Sequence, residues 1–436
     1  MNGTVKITGG VPLKGTVNPI SNKNSILAAL PACILTNEDM IYHGVPKSTD
    51  VEKMLEMLKK LGAQIDDSDY NNLKISCSNL NSYKVDLELG NQIRAAIMFA
   101  GPLLARFGVA EIPVPGGCVL GKRSIAAHVD VFQKAEVSVE YLDDYVRFTR
   151  PKNLKSEYFI WQTEASVTAT ENLALYASAI NSTITLVDAA SEPHVTDLLQ
   201  LLQLMGADID GIRSNILKIT GKEKLSGESF TPGLDIVDIA GFIVAAAVTD
   251  GEINIKGAGN EMLTGGITQW FSKFNISLES KNGDLVVKRN GDLEIDLKNS
   301  GFPMAGSTMP KLYPRPWPGF PADIIPVMAT LASKTKGRLL LGNWMYESGL
   351  DFVRELNAMG AEIFISDPQR VIISGEVKFK GGEIISPSII QACKAIFLAA
   401  LCDDVTTTIH GVNILKRRYP DIFNIYKSLG AKIEII

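Results

Sequence analysis

Several absences narrow what this chain can do. It has no surplus of positive charge: 43 Lys and Arg against 48 Asp and Glu leave a net charge of -5. A protein that neutralises a run of nucleic-acid phosphates needs the opposite balance, so nucleic acid is not an expected partner. No apolar run reaches membrane length; AGFIVAAAV at 240–248 is about half of a spanning helix. The opening MNGTVKITGG has neither the basic region nor the apolar core of a secretory signal. Cysteines are few and scattered, at positions 33, 77, 118, 393 and 402, with no CxxC pair. That pattern excludes a disulfide framework, makes a zinc site unexpected and suits a reducing cytoplasm. The four histidines, His43, His128, His194 and His410, show no HxxxH spacing, and neither GxxxxGK with a following Ser or Thr nor GxGxxG occurs. Kinases and dehydrogenases therefore drop out of the first rank, and no metal or cofactor is expected.

What is present is the composition of an ordinary globular protein, 46% hydrophobic and 21% charged, in a chain of 436 residues that is too long for one core. A phrase recurs along it: an amphipathic helix, a small turn, a short alternating strand. It reads MLEMLKKLGAQI at 54–65, LLQLLQLMGADI at 198–209, FVRELNAMGAEI at 352–363 and IFNIYKSLGAKI at 422–433. Two weaker copies, HVDVFQKAEVSV at 128–139 and ITQWFSKFNISL at 267–278, keep the apolar spacing and lose the glycine. That glycine falls where a helix ends in a left-handed cap. A second phrase, an Ala-rich helix, a polar turn and a β-rich run, accompanies most copies, as in VAAAVTDGEINIKGA at 244–258 and LAALCDDVTTTIHGV at 398–412. The repeat is thus helix, strand, helix, strand, about every 70 to 85 residues.

Such units cannot bury both helix faces alone, so copies must pack together. The stretch 222-KEKLSGESFTPGLD-235 reads as a linker between the third and fourth copies. Two domains of three units follow, and a cleft between similar domains is a favoured place for a small-molecule site.

Several residues interrupt the pattern. In 115-PGGCVLGKR-123, glycines permit turns closed to other residues, and the nearby cations favour thiolate over thiol at Cys118; a buried structural thiol is the alternative. In 19-PISNKNSILAAL-30, Lys23 and Asn24 open a helix that Ser21 or Asn22 can cap, and a lysine at a helix N-terminus suits an anion. Arg94 sits at the edge of an apolar helix. Asp323, on the proline-rich loop 312-LYPRPWPGFPADIIPVM-328, suits either a cap or a general base. The cluster 416-KRRYPD-421 reads first as a solvated charge run. Together these residues point to an anionic substrate and proton-transfer chemistry.

GPLLARFG at 101–108 followed by PGGCVLGKR, with SVTATEN at 166–172, SEPHVTDL at 191–198 and FPAD at 320–323, resembles the enolpyruvyl transferases, most closely the UDP-N-acetylglucosamine 1-carboxyvinyltransferases of peptidoglycan synthesis. The similarity runs from VKITGGVPLKGTV at 5–17 to the terminal LGAKIEI. It implies an α/β (α+β) fold of two inverse α/β barrels, three units each, with the N-terminal segment completing the second, so that residues 22–233 form one and residues 1–21 with 234–436 the other. It implies transfer of enolpyruvyl from phosphoenolpyruvate to a sugar hydroxyl through a tetrahedral ketal. By this resemblance Cys118 donates a proton to C3 of phosphoenolpyruvate and forms a phospholactoyl adduct, and Asp323 is the base for the acceptor hydroxyl. Lys23, Arg123 and Arg417 hold the phosphate and carboxylate of phosphoenolpyruvate. Asn24 is a sugar contact and Arg94 an active-site arginine; Ser166, Val167, Thr168 and His128 fall on acceptor motifs.

The acceptor half departs from the family. Where members read RPVDLH, whose proline, aspartate and leucine hold uracil, this chain reads 123-RSIAAH-128, with Ser124, Ala126 and Ala127 at those places. Glu164 replaces a lysine, Thr168 replaces the glycine of SVGAT, and Ile389 and Gln391 replace the charged residues of DLRA. About ten extra residues surround 300-SGFPMAGSTMPK-311. The expectation is an enolpyruvyl transferase whose acceptor is a different nucleotide, nucleoside or phosphorylated sugar. The rivals are an ordinary UDP-N-acetylglucosamine enzyme that binds uracil differently and a non-catalytic metabolite-binding relative.

Overall fold

The computed structural model describes residues 3–114, 125–295, 301–306, 309–346 and 348–436. They divide into two compact units, one of residues 21–114 and 125–233 and one comprising residues 3–20 with the described part of 234–436.

Each unit contains three small sheets of one design. Asn72–Ser76, for example, pairs antiparallel with both Gln64–Asp66 and Asp39–His43, and Ser229–Phe230 adds parallel to the outer side of Asp39–His43. The same arrangement recurs with Asp208–Asp210, Ile216–Thr220, Thr183–Val187 and Glu157–Trp161. In the other unit the last copy lacks its own hairpin partner, and the N-terminal Thr4–Thr8 supplies it, pairing antiparallel with Thr406–His410 and Lys432–Ile435. Lys14–Val17 likewise adds to Glu252–Ile255. The fold is mixed α/β, and the N-terminal segment is built into the second unit.

All six copies of the first phrase form a helix and a strand. Gly62, Gly206, Gly360 and Gly430 take φ of 106°, 117°, 96° and 105° in the turn between them, a region that an L side chain enters at a cost. In the two copies without glycine, Glu136 and Asn275 are forced to φ of 62° at the same place. The turn therefore outlives its glycine because the packing of helix on strand demands it.

The second phrase supplies the helices at the heart of each unit. Every residue of Ile236–Val248 is buried, as is nearly all of Val167–Ser178, Ile325–Lys334 and Ile390–Ala399. By contrast the first-phrase helix Thr49–Leu61 buries Val51, Met54, Leu55, Leu58 and Leu61 on one face and exposes Lys59 and Lys60. Each unit has its own continuous apolar core.

One expectation changes. The stretch 222–235 is not a free linker: Leu225 and Phe230 are buried, and Ser229–Phe230 is a sheet strand. Gly227 is needed there because a Cβ would collide with the Asp39 carbonyl. The extra segment forms strands Met304–Ala305 and Met309–Leu312, which extend the sheet of Gly337–Gly342 to five strands. Among the described residues no helix is long and apolar enough to cross a membrane.

Candidate active site

The polar residues singled out above collect at the N-termini of the buried helices, where unpaired N–H groups and the helix dipole favour negative charge. In the first unit, Asn22 caps Lys23–Ala29, its Oδ1 accepting from the N–H of Asn24 and Ser25 at 3.0 and 3.4 Å. The cap holds Lys23 in the first turn, and its Nζ lies 2.8 Å from Asp50 Oδ2. Both side chains are buried, so each charge depends on the other; breaking such a pair costs about 3–5 kcal/mol. Asn24 beside it is half-buried. Ser25 donates to Asp197, which also accepts from the Gly233 N–H at 3.0 Å.

Ser166 caps Val167–Ser178 by accepting from Ala169 N–H at 3.4 Å, leaving Val167 and Thr168 half-buried in the first turn. His128 is 2% exposed and lies between two partners, Thr168 Oγ1 3.0 Å from Nε2 and Asn172 Nδ2 3.1 Å from Nδ1. Asn172 Oδ1 accepts from Gly101 N–H at 2.7 Å, so its Nδ2 must donate and His128 Nδ1 must accept. The imidazole proton then sits on Nε2 and is donated to Thr168. Burial, with a smaller contribution from the Arg94 charge, holds His128 down at about 3, so the ring is neutral at physiological pH. Arg94 itself is exposed and opens the 3₁₀ turn Arg94–Phe99 that leads into Ala100–Phe107. One turn into the Val167–Ser178 helix, Glu171 is buried with Oε1 3.9 Å from His194 Nε2. Burial, then the charges of Glu192 and Asp197, push its carboxyl well above the usual range.

In the second unit, Asp323 sits in the 3₁₀ turn Ala322–Ile324 that precedes Ile325–Lys334 and makes no capping bond there. Its carboxylate is 34% exposed; Oδ1 accepts from the Tyr346 hydroxyl at 3.3 Å, and Oδ2 lies 3.7 Å from Arg418 Nη1. Arg418 also donates through Nε and Nη2 to Oδ2 and Oδ1 of Asp235, at 2.7 and 2.8 Å. Asp235 caps Ile236–Val248, accepting from Val237 and Asp238 N–H. Burial is the largest single influence and opposes its charge, but the Arg418 guanidinium, the Lys394 charge and the Val237 N–H together hold the carboxyl below the usual range. Three residues on, Asp238 accepts from Lys394 Nζ at 2.8 Å, and that ammonium lies 4.0 Å from the ring centre of Tyr419. Gln391 accepts from the Tyr419 hydroxyl at 3.2 Å.

Cys118, Arg123 and Ser124 lie outside the described residues. Of the 416–418 cations, Lys416 is exposed, Arg417 half-buried and Arg418 buried, so the solvated-run reading fails at its last member. Sequence reasoning passed over Asp50, Asn172, Asp235, Asp238 and Lys394, and took Arg418 only as part of a solvated run. A signal existed for three of them: Lys394 is a lone charge in the apolar run IIQACKAIFLAAL, and Asp235 and Asp238 are the carboxylates at the start of the very apolar helix Ile236–Val248. Nothing in the sequence pairs them.

Residues 7–426 match the family described as EPSP synthase (3-phosphoshikimate 1-carboxyvinyltransferase). A relative from Treponema denticola named UDP-N-acetylglucosamine 1-carboxyvinyltransferase is 37% identical over 98% of both chains. The chain belongs to the enolpyruvyl transferase family. Relatives with the same name from Borrelia garinii subsp. bavariensis and Bradyrhizobium diazoefficiens are 35% and 36% identical over 98% of this chain and 98% and 97% of theirs. Among solved structures, the enolpyruvyl transferase NikO from Streptomyces tendae superposes with a TM-score of 0.85 at 20% identity, over 99% of this chain and 98% of that one. EPSP synthase from Acinetobacter baumannii superposes at 0.73 and 17% identity over the whole of both chains. These likenesses show the enolpyruvyl transferase fold, which the resemblance implied. Members of this family are 1-carboxyvinyltransferases, so the chain is an enzyme of that type, acting on small molecules.

Proposed function

We propose that this enolpyruvyl transferase takes its enolpyruvyl group from phosphoenolpyruvate in the cytoplasm and passes it to a hydroxyl of a nucleotide-sugar-type acceptor other than UDP-N-acetylglucosamine. Protonation at C3 makes C2 electrophilic, and the acceptor oxygen adds to C2 as its proton passes to a base. The ketal then loses inorganic phosphate and one C3 proton, which restores the alkene. In this reading Cys118 supplies the C3 proton and Asp323 takes the hydroxyl proton, a step worth about 10²- to 10⁴-fold in rate. Lys23, Arg123 and Arg417 neutralise the phosphate and carboxylate. Asn24, Arg94, Ser166, Val167 and Thr168 face the acceptor, and His128, buried behind them, acts on it through Thr168.

One observation carries the altered acceptor: the 3.0 Å bond between Thr168 and His128. Family members have a glycine at that position, with no side chain to reach the imidazole. Here a hydroxyl occupies the space and takes up the Nε2 proton, so both the shape and the polar groups offered to a ligand differ. Loss of three uracil contacts at Ser124, Ala126 and Ala127 points the same way. The relatives' shared name favours a second reading, an enzyme that still uses UDP-N-acetylglucosamine.

Phosphate release from phosphoenolpyruvate, followed by mass spectrometry of the acceptor, separates the two. The expected result is slow release with UDP-N-acetylglucosamine and rapid release with another member of a panel of UDP-sugars, nucleoside monophosphates and nucleosides. Rapid release with UDP-N-acetylglucosamine at a rate no panel member exceeds would refute the altered acceptor.

A further inference from the structure

Arg418 is 5% exposed, and one edge of its planar guanidinium is committed in full to Asp235, through Nε at 2.7 Å and Nη2 at 2.8 Å. That bidentate clamp is rigid, because Asp235 is itself fixed by the two N–H groups it caps at the start of a wholly buried helix. The remaining nitrogen, Nη1, is turned to Asp323 Oδ2 at 3.7 Å, too far for a hydrogen bond but within ion-pair range. The two carboxylates are unlike. Asp235 is fully buried, whereas Asp323 is one-third exposed, on a 3₁₀ turn where no capping bond restrains it. Tyr346, at 3.3 Å on Oδ1, holds it from the other side.

The neighbourhood shows why an arginine here has work to do. Gln391 stands where the resemblance leads one to expect an arginine, and it accepts from Tyr419, the residue next to Arg418. The cation that reaches Asp323 is thus Arg418, from the last segment of the chain, while the helix Ile390–Ala399 gives its own cation, Lys394, to Asp238.

We propose that Arg418, clamped by Asp235, is a positioning residue for Asp323, aiming its carboxylate at the acceptor hydroxyl. The inference rests on the enolpyruvyl-transfer reading in which Asp323 is the base. Arg418 moves no proton and touches no substrate; it sets where the accepting oxygen lies. A misplacement of about 1 Å at a reacting group costs on the order of 10²-fold in rate.

Removing Arg418 alone strands a buried carboxylate and threatens the fold. The test therefore compares the unmodified chain, Arg418→Lys, and the double variant Arg418→Met with Asp235→Asn, which stays neutral. Thermal unfolding verifies that each is folded, and kinetics use phosphoenolpyruvate with the acceptor that supports phosphate release. For the folded double variant we expect kcat to fall about 30- to 100-fold with KM for phosphoenolpyruvate within about threefold, and Arg418→Lys to recover part of the loss. A purely structural tie would lower the unfolding temperature and leave kcat alone; that outcome, or a change confined to KM, overturns the proposal. If the unmodified chain releases no phosphate with any acceptor, the enolpyruvyl-transfer reading falls and this inference with it. A normal unmodified enzyme with an unaffected variant removes Arg418 only.

Discussion

Asn172 decides which nitrogen of His128 carries its proton: with its own Oδ1 occupied by the Gly101 N–H, it can only donate to Nδ1, and Nε2 is left to bond Thr168. Three residues distant in sequence thereby fix the polarity of one side chain at the start of the Val167–Ser178 helix. Because His128 donates, the Thr168 hydroxyl can turn its own hydrogen elsewhere.

Thr168→Gly breaks this arrangement. It leaves the buried Nε2–H unsatisfied and puts a glycine in a helix, so stability falls by about 1–3 kcal/mol by calorimetry. It also restores the residue that UDP-N-acetylglucosamine enzymes carry here, so KM for that acceptor drops relative to the unmodified chain. Thr168→Ser keeps the hydroxyl and changes neither quantity much. An unchanged acceptor profile in Thr168→Gly would remove this position from specificity.

Two buried groups bracket the pH range of greatest stability. His128 stays neutral in the fold down to about 3, while in the unfolded chain it binds a proton below about 6.5. Stability is therefore lost as pH falls through that window, by up to about 1.4 kcal/mol per pH unit. Glu171 behaves in the opposite sense: its raised folded value keeps the carboxyl protonated while the unfolded chain ionises above about 4.3, so stability is lost as pH rises. Denaturant unfolding across pH should show a flatter acid limb in His128→Asn. Glu171→Gln should flatten the alkaline limb and be more stable than the unmodified chain at pH 7.

The glycine in the helix–strand turn is tested at Gly206, where φ is 117° and an added Cβ meets nothing closer than 3.9 Å. Gly206→Ala therefore isolates backbone strain from crowding, and a loss of about 1–2 kcal/mol is expected in denaturant midpoints. No loss would mean that the turn relaxes at small cost, as the copies with Glu136 and Asn275 have learned to do.

Cys118 has a chemical test. If its thiol donates the C3 proton, Cys118→Asp retains phosphate release because a carboxylic acid can do the same, whereas Cys118→Ser loses about 10²-fold or more. Equal activity in both variants takes the thiol out of the mechanism. Mass spectrometry after phosphoenolpyruvate treatment adds a second readout, an adduct on the unmodified chain that Cys118→Ser lacks.

Much of this protein was legible before any coordinate. The periodicities of 54–65, 198–209, 352–363 and 422–433 specify helix, turn and strand, because an apolar stripe every three or four residues and a glycine at its end are local requirements. Helix-start residues likewise singled out Lys23 and Asp323, whose surroundings are written in the local sequence, while the acceptor motifs came from the family resemblance. What no local rule contains is pairing across hundreds of positions. Thr4–Thr8 reads as a strand, but only the tertiary structure shows that it completes the sheet of Thr406–His410. Three cations at 416–418 look alike in sequence, yet burial selects Arg418 and joins it to Asp235, 183 residues away. A buried charge is tolerable only beside its counter-charge, and which residue lies beside which is set by how the helices pack.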